Sequence, residues 1–329
     1  MKALSLFSGG LDSILSVKIV QDQGIDVLAI HFDTGFGGKN WAKKKEYLIR
    51  ICKNYNIPLE IVDIKEHYLE DVLFNPKYGY GKAFNPCIDC HGYMFFNAAS
   101  LLKKYNGDFL ISGEVVGQRP MSQRSEALKQ VEELSGAKGL VLRPLSAQHL
   151  AITIPEEKGW IDRKLLLDIK GRSRYRQIEL AKHYGIEEHE TPAGGCLLTE
   201  TSFGNKIKDF IQYQSMDVED IDFFKLGRHL RLSTGAKLIM GKNQIENERL
   251  MKMNYQNKYI SLAPTEALPG PFCLLAQNAS QEDIMLAGEI LLSYTKAKIG
   301  ETHPIHIDNT IELIELTNDK NAFRSMIIT

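Results

Sequence analysis

Ser8-Gly9-Gly10-Leu11-Asp12-Ser13 stands almost at the N-terminus, between residues 2–7 (KALSLF) and residues 14–23. The first flank reads as a short buried strand. The second spaces Ile14, Val17, Ile19 and Val20 as a helix packed on a sheet would. Glycines in the joining turn let the backbone approach a ligand closely and turn its N–H groups inward. The helix start adds partial positive charge. The stretch therefore predicts an anion cradle, suited to phosphate. It lacks the Gly-Lys-Ser/Thr ending of a Walker A loop, and it is not GxGxxG. The bland alternative is a Gly-rich strand–helix turn in which Ser8 or Asp12 caps the helix.

Outward from this turn, strands are expected at 26–32 (DVLAIHF), 59–64 (LEIVDI), 109–111 (FLI) and 140–142 (LVL). Helices are expected at 41–55, from Cys87-Ile88-Asp89-Cys90 through Leu102, and at 177–184. This alternation predicts an α/β fold with a doubly wound parallel sheet, its ligands at the C-terminal strand ends. Both the Ser/Gly turn and His31-Phe32-Asp33-Thr34 fall at such ends. Near residues 200–220 the pattern changes to short strands and hairpins, expected at 225–232, 236–240, 259–262, 302–307 and 311–316. Helices are expected at 244–253 and at 281–294, the latter capped by Ser280 with Asp283 three positions on. Two domains follow, an α/β domain over 1–200 and a smaller α+β domain over 201–329.

The chain has 329 residues, 43% of them hydrophobic, and a formal net charge of −1. It can bury a sizeable core, and no global basicity advertises nucleic acid, so RNA binding would need a local patch. No apolar run of membrane-spanning length and no signal peptide are read. Five cysteines, Cys52, Cys87, Cys90, Cys196 and Cys273, are an odd number, which fits reduced thiols in the cytoplasm.

Cys87-x-x-Cys90 alone is a weak signal. Cys196, in a Pro/Gly-rich loop, adds a third thiol expected at the same end of the sheet. Three such thiols could hold Zn2+ with a fourth ligand such as His91, or a 4Fe–4S cluster with one iron open. They could also form a sulfur relay through a persulfide and a disulfide. Cys52 and Cys273 read as packing residues.

SGGLDS resembles the PP-loop of N-type ATP pyrophosphatases, the adenine nucleotide alpha hydrolase-like fold. That resemblance implies ATP and Mg2+, with Ser8, Gly9, Gly10 and Ser13 on the phosphates and Asp12 aiding the metal and catalysis. It also implies that His31 and Phe32 hold adenine. Asn85-Pro86-Cys87-Ile88-Asp89-Cys90-His91 is similar to the catalytic-cysteine loop of tRNA 2-thiouridylases, with Cys90 matching the catalytic cysteine. Gly194-Gly195-Cys196 is similar to the loop of their persulfide-bearing cysteine. Residues 112–118 (SGEVVGQ, with Gly113 on the nucleotide) and Leu142-Arg143-Pro144-Leu145 look like tRNA 4-thiouridine synthetases. Cys87 makes the loop resemble the iron–sulfur branch of tRNA thiolation enzymes, where Cys87, Cys90 and Cys196 would bind the cluster; the relay leaves Cys87 without a role. Gly227-Arg228-His229-Leu230-Arg231-Leu232, Gly235-Ala236-Lys237-Leu238-Ile239, Gly241-Lys242-Asn243 and Glu246-Asn247 look like the RNA-binding domain of NFACT-type proteins.

The implied function is an ATP-dependent tRNA sulfurtransferase that adenylates a nucleobase carbonyl, expected to be uridine, and replaces oxygen by sulfur. Its partners would be tRNA and a sulfur donor, either a cysteine desulfurase or sulfide; the modified position and any homodimer stay open. Candidate RNA contacts are Arg119, Arg124, Arg172, Arg174 and Arg176, with Arg228, His229, Arg231, Lys237 and Lys242 in the second domain. Two rivals remain: a PP-loop amidotransferase or synthetase on a small molecule, with zinc on the cysteines, and a non-catalytic RNA-binding protein that uses ATP as a switch.

Overall fold

The computed structural model describes residues 1–190, 195–253 and 255–329. Thr191, Pro192, Ala193 and Gly194, part of the expected Cys196 motif, lie outside the described residues. The chain divides into two compact units, Met1–Thr199 and Glu200–Thr329.

The first unit carries five parallel strands, β1 (Lys2–Leu6), β2 (Asp26–Asp33), β3 (Leu59–Asp63), β4 (Phe109–Ser112) and β5 (Val141–Leu142), in the order β3-β2-β1-β4-β5. The expected doubly wound sheet is what forms. The chain runs outward from β1 to β3, then returns to build β4 and β5 on the other side. The order therefore reverses beside β1, and a crevice opens at its C-terminal end. The Ser/Gly turn follows β1 directly.

The helices of this unit are α1 (Leu11–Gln21), α2 (Trp41–Asn54), α3 (Lys65–Tyr68, continued by a π turn over Leu69–Leu73), α4 (Cys87–Tyr105), α5 (Ser125–Ser135), α6 (Ile154–Glu157) and α7 (Tyr175–His183). On one sheet face Ala3, Val27, Ala29, Phe109 and Ile111 pack with Ile14, Val17, Leu48, Ile51 and Ala181. Leu4, Leu28, Ile30 and Leu110, which alternate with them, are buried too, as expected of strands covered on both sides. α1 is buried almost all round, being sandwiched between the sheet and α7. Cys52 is packed in this core, and its burial pushes the thiol up to about 12.

The second unit holds β6 (Arg228–Arg231), β7 (Lys237–Met240), β8 (Tyr259–Pro264), β9 (Cys273–Ala276), β10 (Thr302–Ile307) and β11 (Thr310–Glu315), antiparallel in the order β11-β10-β8-β9-β7-β6. With them come α8 (Thr201–Ile211), α9 (Asp220–Phe224), α10 (Gln244–Met251) and α11 (Gln281–Leu292). Ser280 and Asp283 form the expected capping box on α11. Three elements escape the sequence reading, α9 among them. Residues 201–211 form a helix because Phe203, Ile207 and Phe210 share a helical face that is buried. Cys273 lies in a strand only four residues long, wholly buried at its first three positions.

The Gly/Asn/Glu motif positions of this unit knit one corner. Glu246 Oε2 accepts from the backbone N–H of Gly227 at 3.0 Å and of Lys242 at 3.1 Å. Asn243 caps α10 through Glu246 N–H, and Asn247 ties to Gly270 and Phe272. The expected RNA contacts here need correction. His229 is fully buried, with its Nε2 against the Phe223 and Leu226 carbonyls. Lys237 is 2% exposed and pairs with Asp209 at 2.6 Å. Arg231 donates to both carboxylate oxygens of Asp209, at 3.0 and 2.6 Å, and lies over the Tyr213 ring. A charge taken from water needs a partner, and these cations have theirs inside the domain. Arg228 is half-buried, over the Tyr294 ring, and Lys242 is exposed.

Burial pushes the Asp209 carboxyl up, but the hydrogen bonds from Arg231 and Lys237 outweigh it and hold the group below its ordinary value. A depressed carboxyl contributes stability above its unfolded value, and that contribution is lost as pH falls below about 4. Asp209→Ala leaves Lys237 buried without its partner. Urea denaturation at pH 7 should show a loss of about 3 kcal/mol, and the difference from wild type should shrink as pH falls below about 4.

Candidate active site

The Ser/Gly turn folds as an open cradle. Gly9 takes φ +82°, in the left-handed region that favours glycine, and a Cβ there would stand 2.9 Å from Tyr47 and Leu48. Gly10 caps α1. Its carbonyl accepts from Ser13 N–H (3.1 Å), Ile14 N–H (3.2 Å) and the Ser13 hydroxyl (2.7 Å). The Ser8 hydroxyl accepts from Gly10 N–H at 3.2 Å. The helix thus begins at Leu11, three residues before its apolar spacing begins, because the turn itself supplies the cap.

α2 closes one side. Tyr47 donates to the Gly9 carbonyl at 2.7 Å, and Lys44 donates to the Ser8 carbonyl at 2.8 Å while pairing with Glu190 at 2.6 Å. Glu190 also bridges to Gly10 in parallel. His31 stacks on Trp41, and its Nδ1 lies 2.8 Å from the Phe7 carbonyl, which fixes Nδ1–H as the donor. Burial drives its imidazole down to about 4, so it is neutral at pH 7. Phe32 is buried in β2. Asp33, at the same strand end, accepts from Gly35 N–H and pairs with Lys65.

The segment after β4 forms the opposite wall. Gly113 is placed against the loop itself, since a Cβ there would meet Asp12 and Ser13 backbone atoms at 2.5–2.6 Å. Gln118 Nε2 donates to Asp12 Oδ2 at 2.6 Å, and Arg174 Nη2 lies 3.3 Å from the same oxygen. Sequence reasoning set Arg174 among the RNA contacts; 162 positions separate it from Asp12, and no local signal links the two. Gln118 closes the 112–118 motif without a role assigned to it by the sequence, and no sequence signal marks Gln177.

Next to Gly113, Glu114 is 5% exposed. Arg143 Nε donates to it at 2.9 Å, and His91 Nδ1 lies 2.7 Å from its other oxygen. Burial alone would raise this carboxyl, but the Arg143 charge and the His91 hydrogen bond bring it down to about 2. His91 follows Cys90 on α4, so the expected zinc ligand has one ring nitrogen on a carboxylate.

Cys87 opens α4 and accepts from Asn85 Nδ2 at 3.1 Å. The Cys196 segment is held by Leu197 N–H on the Phe36 carbonyl (3.0 Å) and by Phe84 N–H on the Leu198 carbonyl (3.2 Å). That places it between the loop after β2 and the loop before α4. Cys87, Cys90 and Cys196 all lie within electrostatic reach of the fully buried Tyr68, whose hydroxyl bonds to Cys90. Burial, then the Cys196 charge, pushes the Cys90 thiol up; burial also raises Cys87, opposed by Asn85 and the Arg119 charge. Among the described residues no three His, Cys, Asp or Glu side chains stand at metal-ligand spacing. The three cysteines are gathered around the Tyr68 hydroxyl, and burial keeps the protons on Cys87 and Cys90.

Residues 1–156 match the tRNA methyl transferase HUP domain model, and residues 227–320 match the NFACT protein RNA binding domain model. A tRNA-specific 2-thiouridylase MnmA of Listeria monocytogenes is 22% identical over 238 residues, covering 68% of this chain and 59% of that protein. A tRNA-specific 2-thiouridylase MnmA 2 of Clostridium botulinum is 30% identical over 118 residues, 32% of each chain. A solved 4-thiouridine synthetase–RNA complex with bound ATP superposes with a TM-score of 0.43 at 19% identity, over 68% of this chain and 52% of that one. The first unit thus resembles a HUP domain and the second an RNA-binding domain. The chain spans 59% of the length of the Listeria 2-thiouridylases it matches. No helix among the described residues is long and apolar enough to cross a membrane.

Arg143 is 3% exposed at its side chain and rests on Glu114. Glu114→Gln should destabilise the protein by about 3 kcal/mol at pH 7, because the buried guanidinium loses its close partner and keeps only the Glu132 carboxylate at 3.8 Å. Denaturant titration of wild type and variant measures it.

Proposed function

We propose that this chain is an ATP-dependent tRNA sulfurtransferase, acting in the cytoplasm on a nucleobase carbonyl, with uridine the favoured base. The observation that carries the reading is the gathering of Cys87, Cys90 and Cys196 around Tyr68, in segments that flank the sheet end bearing the Ser8–Ser13 cradle. A carbonyl oxygen is a poor leaving group. Adenylation turns it into AMP, and a sulfur nucleophile then replaces it. The carbonyl oxygen bonds to the α-phosphorus of ATP, the bond to the bridging oxygen breaks, and pyrophosphate departs with that electron pair. Backbone groups of Ser8, Gly9, Gly10 and Ser13 would cradle the phosphates. His31 and Phe32 would bound the adenine.

Asp12 Oδ1 is buried without a hydrogen-bond partner, which fits an oxygen ligand for Mg2+; the metal would offset phosphate charge. Cys87, Cys90 and Cys196 are the donor type a thiolate-held 4Fe–4S cluster takes, and its binding would displace the protons that burial keeps on Cys87 and Cys90. The cluster would supply an open iron position for sulfide delivered by a cysteine desulfurase or present as free sulfide. Tyr68 would hold Cys90 in place from beneath. RNA would be gripped by the C-terminal domain, with Arg228 and Lys242 the basic side chains left to face it, and by the exposed Arg119, Arg124, Arg172 and Arg176 of the first unit.

Nucleoside mass spectrometry of tRNA from a deletion strain should show loss of one thionucleoside. Wild type should restore it, and Asp12→Ala and Cys196→Ala should not. An unchanged thionucleoside profile in the deletion strain overturns the reading. Protein purified without oxygen should show the broad visible absorbance of an iron–sulfur cluster, lost in Cys87→Ser. Colourless protein carrying stoichiometric zinc after anaerobic reconstitution would sink the cluster and favour the small-molecule synthetase.

A further inference from the structure

Three buried polar atoms without hydrogen-bond partners belong to one small network at the start of α1: Asp12 Oδ1, Arg174 Nε and Gln177 Oε1. The bonds that are made run from Gln177 Nε2 to Gln118 Oε1 at 3.1 Å, from Gln118 Nε2 to Asp12 Oδ2 at 2.6 Å, and from Arg174 Nη2 to Asp12 Oδ2 at 3.3 Å. Gln177 is wholly buried. Leaving buried donors and acceptors unsatisfied costs about 1–3 kcal/mol each. Native proteins keep few of them, and those that remain call for an explanation such as a missing ion or ligand.

The backbone around Arg174 is held firmly. Gly171 N–H donates to the Val116 carbonyl at 2.7 Å, and Lys170 bridges to Val116, so the 170–174 loop is docked along the segment that carries Gln118. The guanidinium reaches Asp12 through one nitrogen at 3.3 Å, whereas an arginine fork favours two parallel contacts with a carboxylate. Lys44, the other cation at the loop, is already committed to the Ser8 carbonyl and Glu190 at 2.8 and 2.6 Å. The orphans have opposite needs: Asp12 Oδ1 lacks a donor or cation, and Arg174 Nε lacks an acceptor.

We propose that Arg174 binds the β- and γ-phosphates of ATP, and the pyrophosphate they become, by exchanging Asp12 for phosphate oxygen when the metal–nucleotide enters. The inference rests on the ATP-site reading above and deepens it. Asp12 turns its unpartnered oxygen to the cation and keeps Gln118. Gln177 anchors Gln118 from below, and Arg174 presents its fork to the phosphates. The bond from the α-phosphorus to the bridging oxygen breaks as described, its electron pair leaves with pyrophosphate, and no proton passes through the guanidinium. Arg174 therefore senses the phosphates that leave and is indifferent to the AMP that stays.

The test is calorimetric titration of full-length wild type, Arg174→Gln and Arg174→Lys with ATP, with pyrophosphate and with AMP, each in Mg2+. R174Q should bind pyrophosphate about 10- to 100-fold more weakly, as loss of a charge-assisted contact implies, with AMP unchanged. R174K keeps the charge without the fork and should fall between, which covers the case in which R174Q does not fold. Equal affinity for pyrophosphate in wild type and variant overturns the inference, as does an equal loss for both ligands. Wild type that binds ATP while R174Q shows either result leaves the ATP site standing and removes Arg174 from it. Wild type that binds no ATP overturns the site reading and the inference together.

Discussion

Glu114 is a carboxylate buried at the end of the central sheet, and burying it is tolerable only because two partners converge on it. Arg143 comes from the end of β5, and His91 comes from the first turns of α4. The single charge thus sets the spacing of three elements. One residue before it, Gly113 lies flat against the start of α1. One residue before His91 stands Cys90. The Ser/Gly turn and the thiol pair are held in register by the same ion pair. A loss of that charge would be felt on both sides of the crevice.

The C-terminal unit uses its charges differently. Asp209 collects Arg231 and Lys237, while Asp217 and Asp220 collect Lys258. The residues that give this unit its family likeness, Gly227, Asn243, Glu246 and Asn247, make backbone contacts within one corner. They are what a stable small sheet with one long helix needs.

The doubly wound sheet was legible because its strands are apolar runs separated by helices of the right period. The loop after β1 was legible because serine and glycine in that position have few other uses. The thiol gathering was legible in part, since Cys87 and Cys90 share a helix start while Cys196 is brought in by Phe36 and Phe84, which carry no mark of that task. α5 went unread although Ala127, Leu128 and Val131 share a buried face; Arg119 and Arg124 just before it were read as RNA contacts. The basic residues of β6 and β7 misled for a plainer reason: their acid partner lies on α8, 22 and 28 positions away. Arg174 misled in the same way across a longer span. Charge pairing over long separations leaves no periodic trace, whereas burial of apolar side chains does.

Gly10 pairs with Glu190, so the cradle written in the first thirteen residues is sealed by a strand bridge about 180 positions later. During synthesis at ~5–20 residues per second, the loop would exist for roughly 10–40 s before its last wall has been made. Through that interval the glycines are exposed and the Lys44 ammonium has no Glu190 to meet. A nascent chain therefore has no finished cradle until the whole first unit is out. Long-range closure of this kind slows folding.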